Sequence, residues 1–104
     1  MLDKATVINT AKKYANAVVS EFSPNAIILY GSYVNGNPNK DSDIDIAVVF
    51  DDFRGDRLET SAKLWSLTRN ISTYIEPVLL DTTKDKSGFT EYIMKTGEYI
   101  YKAA

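Results

Sequence analysis

The chain contains no cysteine and no histidine. Without cysteine it can form neither a disulfide nor a thiolate metal site. Without histidine it has no imidazole for general base work and no His-ligated zinc. Any acid–base or metal chemistry therefore falls to carboxylates, hard oxygen ligands that favour Mg²⁺, with Mn²⁺ as the alternative. No apolar run approaches the roughly 20 residues that cross a bilayer. No signal-peptide pattern opens the sequence, so a cytoplasmic protein with no membrane partner is the expectation. A surplus of positive charge is missing too. The net charge of −2 leaves no basic footprint for a polyanion, so direct nucleic-acid binding is not expected.

What is present reads as one domain spanning residues 1–104. Its 44% hydrophobic and 25% charged content is that of an ordinary globular chain. Residues 3–22 carry Ile8, Ala11, Ala15, Val18 and Phe22 at helical spacing, and Ser23, Pro24 and Asn25 stop the pattern. "AIILY" (26–30) is a short continuous apolar run, which predicts a strand covered on both faces. Residues 44–50 predict a second strand, and 57–73 a helix on the stripe Leu64, Leu67, Ile71 and Tyr74. "YIEPVLLD" (74–81) predicts a third strand, at an edge or bulged because Pro77 lacks an N–H. Residues 89–96 predict a helix closed by Gly97, and "EYIYK" (98–102) alternates like a short last strand. The fold class is α/β in the α+β sense: a mixed sheet of three to four strands with helices packed on it.

This order has a geometric consequence. If the loop after residue 30 folds back, the first two strands are antiparallel. The helix between the second and third strands suits a parallel crossover. Gly31 and Ser32, Asp43 and Asp45, and Glu76 then share one end of the sheet. Strand alternation puts Asp43 and Asp45 on one face while Ile44 and Ile46 enter the other. Two carboxylates that close repel one another unless a cation lies between them, and a divalent hard ion resolves the conflict. Glu76 can complete such a site or take a proton from an attacking hydroxyl. Gly31 lets backbone approach an anion closely, and Ser32 adds a hydroxyl and an N–H. Lys40 lies near the expected phosphates. The tyrosines read mainly as core and rim packing.

Taken singly these features are bland. An Asp-x-Asp before a strand is ordinary turn chemistry, and Glu76 alone suits a salt-bridged edge. A calcium loop on Asp41, Asp43 and Asp45 fails because Ile46 stands where such a loop needs glycine.

The combination is more specific. "GSYVNGNPNKDSDID" (31–45) is Gly-Ser, ten residues, then Asp-x-Asp. It resembles the signature of the polymerase-β-like nucleotidyltransferases, in their minimal (MNT) branch, and the flanking strands and the ending "YIMKTGEYIY" resemble that branch as well. The resemblance implies a palm-like fold and Mg²⁺-dependent transfer of a nucleoside monophosphate, AMP from ATP, to a hydroxyl. It implies that Asp43, Asp45 and Glu76 hold metal and carry catalysis. Gly31 and Ser32 would bind the β- and γ-phosphates, with Lys40 beside them. It further implies an antitoxin that adenylylates a HEPN-type partner protein.

Two departures stand out: Tyr33 and Asn35 occupy a segment where relatives often carry Arg, and the third acid is Glu followed by Pro77 rather than Asp, with Asp81 as the fallback. Two alternatives follow. One is an inactive module that neutralises its partner by contact; the other is a small-molecule nucleotidyltransferase of the aminoglycoside type. Oligomeric state, including a homo-oligomer, stays open.

Overall fold

The computed structural model describes residues 2–104. Helix α1 (Lys4–Val19) leads into β1 (Ala26–Tyr30), the one-turn helix α2 (Ser32–Asn35) and β2 (Ile44–Phe50). Then come α3 (Arg57–Ser66), β3 (Ile75–Asp81), a 3₁₀ turn (Thr82–Lys84), α4 (Phe89–Thr96) and β4 (Glu98–Lys102). The four strands form a single sheet in the order β3-β2-β1-β4. β1 runs antiparallel to β2 and β4, and β2 runs parallel to β3. The mixed sheet, both strand directions and the last strand are as the sequence predicts. β3 is an edge strand, where a residue without an N–H is tolerated, which accounts for Pro77.

One face of the sheet carries Ile27, Leu29, Ile44, Ile46, Val48, Ile75 and Leu79, packed against Val7, Ala11, Val18 and Leu64 of α1 and α3. Buried Tyr14 ties these two helices together through its hydroxyl, which donates to the Leu64 carbonyl at 2.8 Å. The other face carries Ala26, Ile28, Ala47, Val49 and Leu80, and Ile93 and Met94 of α4 pack on it. The central strands are thus apolar on both faces beyond Asp45, which explains the unbroken runs at 26–30 in β1 and 46–50 in β2.

Two helices end earlier than their apolar stripes suggest. α1 starts on Asp3, whose carboxylate accepts from Thr6 N–H at 2.7 Å, but it stops at Val19 rather than residue 22. α3 stops at Ser66, not near Thr73. The cause lies in the side chains: Ser20 Oγ donates to the Ala17 carbonyl, Ser66 Oγ to Lys63 and Thr68 Oγ1 to Trp65. These local bonds compete with the helical ladder, and tight turns take over, with Thr68 N–H bonded to the Trp65 carbonyl and Ile71 N–H to that of Thr68. Leu67 and Ile71 still pack on the core from the turn, which is why the stripe outruns the helix. Among the described residues no helix is long and apolar enough to cross a membrane.

Asp81 closes the far end of β3 and is only 4% exposed. Its carboxylate accepts from the backbone N–H groups of Asp52, Phe53 and Thr83 and from Thr83 Oγ1, at 2.7–3.2 Å. The Thr83 hydroxyl above all, with the three N–H groups, outweighs desolvation and holds the carboxyl down at about 2, against an ordinary value of 3.8. The sign follows from linkage. A depressed carboxyl stabilises the fold above pH 3.8 and loses that contribution as pH falls from there towards 2. Asp81→Asn is therefore expected to lower Tm by several degrees at pH 7. Below pH 2 its melting temperature and that of the native chain should converge. Thermal scans from about pH 1 to pH 7 check this.

Candidate active site

The antiparallel β1–β2 turn and the parallel β2–β3 crossover bring the end of β1 and the starts of β2 and β3 to one end of the sheet. The register there is specific. Tyr30 lies opposite Asp45, and Asp45 lies opposite Glu76. Three side chains on three strands thus form one row, on the face turned away from α1 and α3. Asp43 stands just before β2, two residues from Asp45 and so on the same side. Asp43 and Glu76 are exposed, while Asp45 and Tyr30 are half-buried.

The row behaves as a crowded set of like charges. Glu76 is raised above its ordinary value first by the neighbouring Asp43 carboxyl, then by desolvation and by the charge of Asp45. Asp45 is raised by burial and by the charge of Asp43. None of the three carboxylates is ion-paired among the described residues. Nor do any three acidic side chains there close on a point as a finished metal cage. Side chains that repel one another, hold no partner and lie partly in water fit a hard divalent ion, which would relieve the repulsion as they turn towards it.

Gly31 sits against this row. Its φ of +83° and ψ of −151° lie in a region open to glycine and hardly to any other residue. A Cβ there would overlap Asp45 Oδ2. Gly31 is the N-cap of α2, and its carbonyl accepts from Val34 and Asn35 N–H at 3.0 and 2.9 Å. Ser32 follows as the first residue of α2, half-buried. The small-residue bend thus comes within contact distance of Asp45, and it does so because position 31 has no side chain.

Of the remaining candidates, Lys40 is exposed in the turn between α2 and β2, in no ion pair among the described residues. That turn is fixed by Ser42 N–H to the Asn39 carbonyl and by Asn39 N–H to Ser42 Oγ. Asp81 does not join the acids. It pairs in register with Phe50, five positions along from the Asp45–Glu76 row, or about 16 Å of strand. Its carboxylate is committed to the Asp52, Phe53 and Thr83 bonds described above, so Glu76 is the acid on β3 that geometry brings to the pair.

The sequence reading leaves out Tyr30. It counts as packing when all the tyrosines are taken together, yet it lies in the row itself. One signal was available: it is the residue immediately before Gly31, at the end of a strand whose partner begins with the Asp pair.

A family model described as polymerase beta nucleotidyltransferase matches residues 10–104. No curated protein matches the chain. Several solved structures share the fold. A Sulfolobus solfataricus protein described as a nucleotidyltransferase aligns with a TM-score of 0.69 at 22% identity, covering 95% of this chain and 83% of the other. A mutant toxin-antitoxin, MntA-HpeT, aligns at 0.59 and 21%, covering 98% and 75%. A toxin-antitoxin structure with AMP-PNP aligns at 0.62 and 23%, covering 91% and 74%.

Proposed function

The chain belongs to the polymerase β nucleotidyltransferase family, and from that premise we propose that it transfers AMP from ATP to a hydroxyl of a partner protein, as the antitoxin of a toxin–antitoxin pair. The observation that carries the chemistry is the register that sets Glu76 directly opposite Asp45, with Asp43 two residues before Asp45 and Gly31 against it.

In this reading Asp43, Asp45 and Glu76 hold Mg²⁺, which when bound supplies Lewis-acid charge at the phosphorus under attack. Gly31 and Ser32 receive the β- and γ-phosphates at the end of β1. The leaving pyrophosphate then lies on the β1 side of the row. In-line displacement brings the acceptor from the other side, over Glu76 on the edge strand β3. The acceptor oxygen forms a bond to the α-phosphorus as the bond to pyrophosphate breaks. The acceptor proton passes to the Glu76 carboxylate and on to solvent. Its place opposite Asp45 on the edge strand, open to solvent, makes Glu76 a suitable receiver.

Three observations support a protein acceptor and an antitoxin role. The acids stand on an exposed sheet end, with Asp43 and Glu76 open to solvent, so a large acceptor can reach them. Two of the structural neighbours are toxin-antitoxin proteins, one of them with AMP-PNP. In the MntA-HpeT mutant, two aspartates two positions apart are replaced by glutamate, which is the spacing of Asp43 and Asp45 here. The partner implied by the sequence resemblance is HEPN-type.

The test is incubation of the chain with labelled ATP, Mg²⁺ and the product of its neighbouring gene. Label is expected on the partner with the native chain and absent with Asp43→Ala; no label in either case removes the reading. One observation favours neutralisation by contact alone: Tyr33 and Asn35 supply no cation to the triphosphate. If the Asp43→Ala, Asp45→Ala double variant still suppresses the toxin in cells, that reading replaces the catalytic one.

A further inference from the structure

Tyr30 places its ring at one end of the acid row, and its hydroxyl meets solvent and bonds no protein group among the described residues. Register sets it beside Asp45, with Glu76 one strand further on. The ring is held from behind by Phe89 of α4, edge to face at 5.9 Å between centroids. Two other tyrosines show what a structural role looks like in this fold: Tyr14 donates to the Leu64 carbonyl and Tyr33 accepts from Leu2 N–H. Tyr30 makes no such bond among the described residues, although it is half-buried. A phenol keeps its proton at neutral pH, so this hydroxyl is free to donate.

A triphosphate brought to this row meets carboxylates and needs donors. The segment following Gly31 and Ser32 offers none that is charged, because Tyr33 and Asn35 stand there. The phenol of Tyr30 is a neutral donor in the row itself, one peptide bond from Gly31, and its approach adds no charge to be desolvated. Resting on the nucleotidyltransferase reading, we propose that Tyr30 is a nucleotide-binding residue whose hydroxyl donates a hydrogen bond to a phosphate oxygen of the bound triphosphate, with Phe89 fixing the ring in place.

The experiment is calorimetric titration, with Mg²⁺ present, of the native chain and Tyr30→Phe with two probes, ATP and inorganic tripolyphosphate. Tyr30→Phe keeps the ring and its contact with Phe89, so Tm should be unchanged. A lost hydrogen bond to a charged oxygen is expected to weaken binding of both probes by roughly tenfold or more. Equal affinities for native chain and variant overturn the proposal. Weakening for ATP but not for tripolyphosphate also overturns it, because the hydroxyl would then contact the nucleoside. A native chain that binds neither probe removes this inference and the nucleotidyltransferase reading together. Weakened binding of both probes, with no transfer to any acceptor, sustains the role of Tyr30 while ending the catalytic reading. Phe89→Ala supplies a second check: it should weaken both probes in the native chain and change little in Tyr30→Phe.

Discussion

Asp45→Asn is expected to cut nucleotidyl transfer by about 10²–10³-fold or more while leaving the fold as stable as before, or slightly more so. The two halves of this expectation have one cause. Asp45 has Glu76 as its cross-strand partner and shares the site with Asp43, and its carboxyl is raised by burial and by the charge of Asp43. A carboxylate held above its ordinary value is one the fold would rather protonate, so its charge costs stability when no cation balances it. An amide of the same shape removes the repulsion and keeps the volume. What it cannot do is contribute a negative oxygen to a divalent ion, and loss of one such preorganised electrostatic contact at the reacting phosphorus carries the loss of rate. Single-turnover transfer with Mg²⁺, set beside thermal melting of the same samples, checks both halves. EDTA should mimic the rate loss in the native chain. A variant that loses activity and also melts much earlier would mean that Asp45 serves the fold instead.

How legible was all this beforehand? Where side-chain pattern and backbone agree, the sequence was sufficient. The apolar runs of β1 and β2 are continuous because α1 and α3 cover one face and α4 the other, and Pro77 was tolerable only at an edge. The end of α3 was not legible. Its stripe continues through Leu67 and Ile71 because those residues still reach the core from a turn, and only the hydroxyl bonds of Ser66 and Thr68 mark the change. Register was the other hidden quantity. The topology placed Glu76 at the correct end, but a slip of one residue would have turned it to the other face. The choice between Glu76 and Asp81 therefore needed the pairing itself. Asp81 was a plausible acid by type alone; its four bonds to the Asp52, Phe53 and Thr83 groups identify it as a structural clasp. Tyr30 escaped for a similar reason, since composition cannot say which of seven tyrosines ends a strand beside an aspartate pair.

Gly31→Ala should affect fold and site together, and Gly36→Ala separates the two effects. Both glycines have positive φ, +83° and +81°. Gly36 closes α2 in the left-handed region, with nothing within 4 Å of an added Cβ. Alanine there costs about 1–2 kcal/mol in backbone strain and disturbs no neighbour. Gly31 has ψ of −151°, where strain is of order 1–3 kcal/mol, and its new methyl would strike the Asp45 carboxylate. That carboxylate must swing out of the row, or the bend must open and carry Ser32 with it. Both variants are expected to melt several degrees below the native chain, with Gly31→Ala the lower. Transfer should persist in Gly36→Ala at temperatures where it is folded and fall by about 10²-fold or more in Gly31→Ala under the same conditions, since a small misplacement of a reacting group is enough for that loss. Activity and melting curves measured on the two variants side by side decide the matter. Equal activities would show that the bend at position 31 serves only the chain's path, and that the close approach of Gly31 to Asp45 has no part in holding substrate.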